Sequence, residues 1–286
     1  GEDLGKVRFD AKTAEFYREK IEQPFFAQHL KGEADPNLPE AYMFETGTNQ
    51  WRRHETWPPK GATPRTLWLD SGGALADRRP AETGFDEYVS DPFRPVPFIE
   101  GVEIGMAQTY MIADQRFAAR RPDVLVYQTG PLDEPLTAAG PIEIALKVST
   151  TATDSDWVVK VIDVYPSDLP VQDPNQRDEY SPMGGYQQLV RGEPFRGRFR
   201  NGFSAPEAFV PNAPARVSFR LPDVYHTFRR RHRIMVQVQS SWFPLVDRNP
   251  QNFVKISTAV ASDYRKATQR VYRGGDDGSS LTLLSY

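Results

Sequence analysis

Two residue periods divide the chain. From Asp10 to Gly32 the sequence reads DAKTAEFYREKIEQPFFAQHLKG, with Ala14, Tyr17, Ile21, Phe25 and Leu30 recurring every three to five positions. Glu15, Arg18, Glu19, Lys20 and Glu22 fall mostly between them. This spacing predicts one amphipathic helix from Lys12 to Leu30, with Asp10 as its N-cap and Gly32 as its stop. Pro24 should kink or split it near Gln23, because its ring collides with the preceding turn. After Gly32 the period falls to two. Strands are predicted in PEAYMFET, TLWLD, DVLVYQT, IEIALKVST, DWVVKVIDVY, ARVSFRL, RIMVQVQSS, ATQRVYR and SLTLLS. Turn signals such as Thr46-Gly47, Ser71-Gly72-Gly73, Gly130-Pro131 and Gly274-Gly275 separate them. Many short strands without alternating helices predict a mainly β fold, an antiparallel sandwich of jelly-roll type. The lone helix then has no helical partner.

Within the strands the alternation sorts side chains onto faces. Trp157, Val159 and Val161 share one face with a core role, as do Ile234, Val236 and Val238. Met235, Gln237 and Gln239 occupy the opposite face, the mark of a half-buried strand. In HRIMVQVQSSWFPLVDRNPQ the alternation stops at Ser240, Ser241, Trp242 and Phe243, before a loop rich in proline and asparagine. Aromatics closing the end of a sandwich core account for this corner; contact with a substrate is the alternative.

Composition narrows the function classes. The 286 residues are 39% hydrophobic and 12% aromatic, enough for a sizeable core. The 25 prolines and 20 glycines are dispersed, as joined short strands require. A net charge of −3 argues against nucleic acid or an anionic membrane as partner. No apolar run reaches the ~18 residues that a membrane-spanning helix needs. The absence of cysteine removes disulfides and thiolate metal sites.

Candidate chemistry is sparse. A serine elbow needs G-x-S-x-G, and Gly202-Phe203-Ser204-Ala205-Pro206 fails at its last position. His29 reads as an exposed residue near the helix end, and His54 lies in a polar, aromatic loop. His226 and His232 flank Arg229-Arg230-Arg231, which a solvated turn explains as well as any partner does. Asp154, Asp156 and Asp163 could suggest a cation, yet TDSD reads as a turn feeding a strand. Trp51, Trp57, Trp68 and Trp242 could form a sugar-binding platform. No catalytic residue, metal or cofactor is expected on these grounds.

Several segments in order resemble one family. They are LGKVRF, EKIEQPFFAQHLKG, FETGTNQWRRHETWPP, YVSDPFRPVPF, DQRFAARRPDVLVYQTGPLDEPL, TDSDWVVKVIDVYP and HRIMVQVQSSWFPLVDRNPQ. Together they resemble the C-terminal portion of the α-amino-acid ester hydrolases and glutaryl-cephalosporin acylases, with cocaine esterase and the X-Pro dipeptidyl-peptidases as more distant members. The resemblance implies an α/β-hydrolase domain carrying serine, aspartate and histidine, a helical cap and a C-terminal jelly roll. It implies that this chain begins just after the catalytic histidine. Residues 1–35 would then hold the closing helix of the hydrolase domain, and residues 36–286 the jelly roll.

The same resemblance implies the partners: upstream hydrolase and cap domains of the same parent, and a small ester, amide or peptide substrate. The apolar helix, without its covering domain, is expected to dock onto the sandwich, to mediate self-association into a homo-oligomer, or to be poorly ordered. By position rather than motif, the resemblance places Met106, Tyr110 and Met111 at the wall of the acyl pocket; the relatives have a tryptophan near Tyr110, so the pocket shape here should differ. Methionine and tyrosine suit such a wall, being large and largely apolar. The competing class is a stand-alone β-sandwich that binds carbohydrate or protein.

Overall fold

The computed structural model describes residues 1–101, 105, 107–169 and 183–286. A short hairpin, β1 (Asp3–Leu4) and β2 (Val7–Arg8), precedes the helical segment. That segment is α1 (Thr13–Tyr17), a π-helical turn over Arg18–Glu22, and α2 (Gln23–Lys31). Pro24 explains the wide turn. A proline lacks the N–H for the residue four back and its ring presses on that carbonyl, so the helix widens just before it instead of breaking. Gly32 ends α2 in the left-handed conformation, with Gly32 N–H donating to Gln28 O and Glu33 N–H to Ala27 O, as a helix C-terminus requires. Asp10 is not the N-cap: it lies at φ 51°, Lys12 takes the position, and no side chain caps the helix.

The remainder is strand. In order come β3 (Ala41–Glu45), β4 (Gln50–His54), β5 (Thr63–Asp70), β6 (Ala74–Ala76), β7 (Gly84–Ser90), the short helix α3 (Arg116–Ala119) and β8 (Leu125–Gln128). They continue with β9 (Leu136–Thr150), β10 (Asp156–Val164), β11 (Gln187–Arg196), β12 (Ala215–Phe228), β13 (Arg233–Gln239), β14 (Ala267–Arg273) and β15 (Ser280–Ser285). One sheet runs β11-β10-β13-β8-β6-β5-β15-β9-β14-β7, with β12 also on β9. Its named pairs are antiparallel apart from one parallel bridge, Ala74 to Gln128 between β6 and β8. The sheet folds over one core, in which Trp157, Val159, Val161, Ile234, Val236 and Val238 lie against Leu67, Ile144, Val217 and Leu281. This is the jelly-roll sandwich. All nine strand segments read from the sequence are strands; β7 and β11 escape a period-two reading because charged residues, Gly192 and Pro194 interrupt their apolar positions.

The outward face of β10 and β13 departs from expectation. It is buried too: Val158, Ile162 and Met235 form a second apolar cluster with Phe98, Leu189 and Trp242. The long connection between β7 and β8 lies over this face. It also accepts a hydrogen bond from the strand, Gln237 Nε2 donating to Gln115 O at 3.3 Å. At the other end of the sandwich, the β3–β4 hairpin joins β12 through Thr46 N–H to Tyr225 O and Thr227 N–H to Thr46 O. Gly47 makes this approach possible, since a Cβ there would stand 2.1 Å from Thr227 O. Phe16 of α1 stacks on Trp51 of that hairpin, with ring centroids 4.7 Å apart.

Candidate functional site

The SSWFP corner and the β7–β8 connection are stitched together. Ser240 Oγ lies 2.7 Å from Tyr88 OH, and Ser241 Oγ accepts from Val96 N–H at 2.8 Å. Phe243 and the 96–98 segment exchange backbone hydrogen bonds, Phe243 N–H to Val96 O and Phe98 N–H to Phe243 O. Ser241 therefore anchors the loop, Ser240 ties the corner to β7, and Trp242 closes the sandwich end. Tyr110 sits in a 3₁₀ turn over Gln108–Ile112 and meets Trp242 edge-on, centroids 6.0 Å apart, with Phe98 at 5.8 Å on its other side. Beside them opens a groove of about 350 Å³, lined among others by Tyr110, Met111, Leu189, Gly192, Pro194 and Trp242. Met111 is 45% exposed at its edge. Tyr110 and Met111 are thus brought to one groove, while Met106 lies outside the described residues.

Lys160 is buried directly behind this wall. Its ammonium lies 5.4 Å from the Trp242 ring centre and 5.9 Å from Phe117, and donates to Gln115 Oε1 at 2.9 Å. Burial, which disfavours the charged ammonium, pushes its pKa down to about 7. Gly192 on β11 leaves room for this pair: a Cβ there would come within 2.8 Å of the Trp242 ring and 3.3 Å of Lys160 Cγ. The Trp242 indole N–H is buried without a hydrogen-bond partner among the described residues. The period-two pattern of β10 puts Lys160 opposite Trp157, Val159 and Val161 and carries no sign that a loop covers it.

The histidines serve a polar network elsewhere. Asp163 receives His232 Nδ1 at 2.8 Å and His226 Nε2 at 3.2 Å, all three side chains being buried. Burial raises the Asp163 pKa, but these two hydrogen bonds and the imidazole charges outweigh it and hold the carboxyl below its ordinary range. Thr46 Oγ1 lies 2.8 Å from His226 Nδ1, completing a hydroxyl–imidazole–carboxylate chain. That chain has the connectivity of a hydrolase triad. Its contacts are structural: Thr46 Oγ1 also donates to Tyr225 O, and the buried His226 ring is held between Thr46 and Asp163. His54 Nε2 is 3.0 Å from Tyr225 OH, and His29 is exposed beside Phe25.

The other candidates resolve into structural roles. Asp154 pairs with Arg198 and accepts from Asn249 Nδ2 at 3.0 Å; Asp156 accepts from the same amide at 2.7 Å. The TDSD turn is thereby locked to the 249 loop, and no metal-binding cluster occurs among the described residues. Arg229 to Arg231 form the β12–β13 turn, Arg229 Nε on Gly47 O and Arg231 paired with Asp168. The tryptophans form no common platform. Trp51 stacks on Phe16, Trp57 donates to Asp223, Arg79 covers Trp68, and Trp242 is buried. No helix among the described residues is long and apolar enough to cross a membrane.

These features define a jelly-roll β-sandwich whose described residues assemble no nucleophile and base open to a substrate. The chain belongs to the X-Pro dipeptidyl-peptidase C-terminal non-catalytic domain family, whose profile matches residues 35–282. Cocaine esterase of Rhodococcus sp. (strain MB1 Bresler) is 28% identical over 274 residues, 92% of this chain and 45% of that protein. A selenomethionine-labelled α-amino acid ester hydrolase superposes with a TM-score of 0.91 at 42% identity, over 100% of this chain and 47% of that one. An aminopeptidase of a marine-sediment archaeon, Thaumarchaeota archaeon, does so with 0.91 at 40%, again over 100% and 47%. The chain thus spans a little under half the length of these relatives.

Proposed function

We propose that this chain is the C-terminal jelly-roll part of a serine hydrolase that cleaves esters or amides. In this reading it lends a wall to the acyl pocket and relies on upstream hydrolase and cap domains for nucleophile, base and oxyanion donors. The observation that carries the reading is the Tyr110–Trp242 corner: a rigid aromatic wall beside a groove, in a long connection of a domain whose relatives are named as esterase, ester hydrolase and aminopeptidase. Long connections that are packed down at defined points are where domains place recognition surfaces. Tyr110, Met111 and, by its place in the chain, Met106 supply apolar bulk, and the thioethers adapt to acyl groups of different shape.

The test belongs in the full-length protein. Tyr110→Ala should change the ratio of kcat/KM between a bulky aromatic and a small acyl ester by about tenfold, roughly 1.4 kcal/mol of differential transition-state binding. Equal losses on both esters, or no loss, would remove Tyr110 from the pocket.

A further inference from the structure

A second cavity, of about 290 Å³, lies away from the Tyr110 groove, between the β1–β2 hairpin, the end of β10 and the β12–β13 turn. His232 and Asp163 form part of its wall. The His232 ring is fixed twice: Nδ1 is held by Asp163, and its face rests on Tyr165 with centroids 4.7 Å apart. Asp163 is itself occupied by His226, and Tyr165 OH donates to Gln188 Oε1 at 2.5 Å. His232 Nε2, on the ring edge away from Asp163, makes no hydrogen bond among the described residues although the residue is 6% exposed. Lys6 and Arg229 stand at the rim, and Arg229 is steadied by its bond to Gly47 O. Arg8 and Asp10 of the hairpin complete the charged lining. Val7, Phe9, Leu169 and Met183 give the same cavity an apolar side.

From this arrangement we propose that the cavity is a binding site for a small organic carboxylate, whose anionic group lies against His232 Nε2 between Lys6 and Arg229 and whose tail lies on the Val7–Phe9–Met183 side. With Nδ1–H given to Asp163, the imidazolium form of His232 presents Nε2–H to an oxyanion as a charge-assisted donor, and Lys6 and Arg229 in the same lining add positive charge. The apolar half selects an acid with a hydrocarbon body over an inorganic anion. The lining residues named here belong to this chain, and the proposal does not depend on the acyl-pocket reading.

The four histidines make the test direct. In the 286-residue chain, the imidazole proton resonances are titrated by NMR with and without benzoate. Benzoate against His232 should raise its titration midpoint by about one pH unit, because a nearby negative charge favours the imidazolium, and should leave exposed His29 unmoved. Lys6→Met and Arg229→Gln, both at exposed positions, should each weaken benzoate binding severalfold, and inorganic phosphate should bind more weakly than benzoate. No movement of His232, or an equal movement of His29, would overturn the site. Phosphate binding as tightly as benzoate would overturn the organic class of ligand.

Discussion

Lys160 concentrates the residue-scale physics of this domain. A cation enclosed by Trp242 and Phe117, with one amide oxygen as its hydrogen-bond partner, has given up far more hydration than it regains. The sign of the consequence follows from proton linkage. The ordinary lysine pKa of 10.5 falls to about 7 in the fold. Between these values the unfolded chain holds a proton that the folded chain has released, so stability rises with pH across this window and is lost as pH falls through about 7. Lys160→Met keeps the stem's apolar packing and removes the charge. Chemical denaturation should find this variant more stable than the wild type at pH 6, by on the order of 1–3 kcal/mol, with the gain shrinking toward pH 10. A gain that is independent of pH, or a loss at pH 6, would mean that Lys160 is better paired than its surroundings indicate.

At the scale of elements, sequence and structure agree where one period rules and part where a loop intervenes. Trp157, Val159 and Val161 announce a core strand because two-residue periodicity follows directly from the pleat. The opposite face of β10 and β13 misleads for the same reason. Gln237 and Gln239 look solvent-facing by type, yet tertiary covering by the β7–β8 connection decides their burial, and periodicity carries no term for it. Tyr110 was placed through the family resemblance, and its partners Trp242, Leu189 and Gly192 come from strands and loops distant in sequence. The polar cluster on Asp163 was legible only as residue types. Nothing in the spacing of His226 and His232 says that the end of β12 and the turn into β13 bring both to one carboxylate.

The helical segment extends this lesson. Its apolar stripe was plain in the sequence, and only part of it is covered: Phe16 meets Trp51, while Tyr17, Phe25, Phe26 and Leu30 are exposed, Leu30 by 77%. We read this face as the contact with upstream domains. Phe26→Glu with Leu30→Glu should change the stability of the 286-residue chain by less than about 0.5 kcal/mol, as surface changes do. In the full-length protein the same pair should lower the melting temperature clearly. A marked loss of stability in the 286-residue chain itself would show that the stripe packs within this unit.

For the whole molecule we propose a division of labour, in which this domain shapes and supports and an upstream part carries the chemistry. The Thr46–His226–Asp163 chain makes this division testable, because it gives the domain a triad-like connectivity whose hydroxyl is tied to Tyr225 O and whose imidazole is buried. The most direct measurement is active-site labelling with a fluorophosphonate probe, applied to the full-length protein and to the 286-residue chain, followed by peptide mapping. One labelled serine is expected in the full-length protein, outside residues 1–286, with loss of ester turnover in step with labelling, and neither label nor saturable turnover in the 286-residue chain alone. Stoichiometric labelling of any residue within this chain, Thr46 included, accompanied by loss of turnover, would contradict the proposed division.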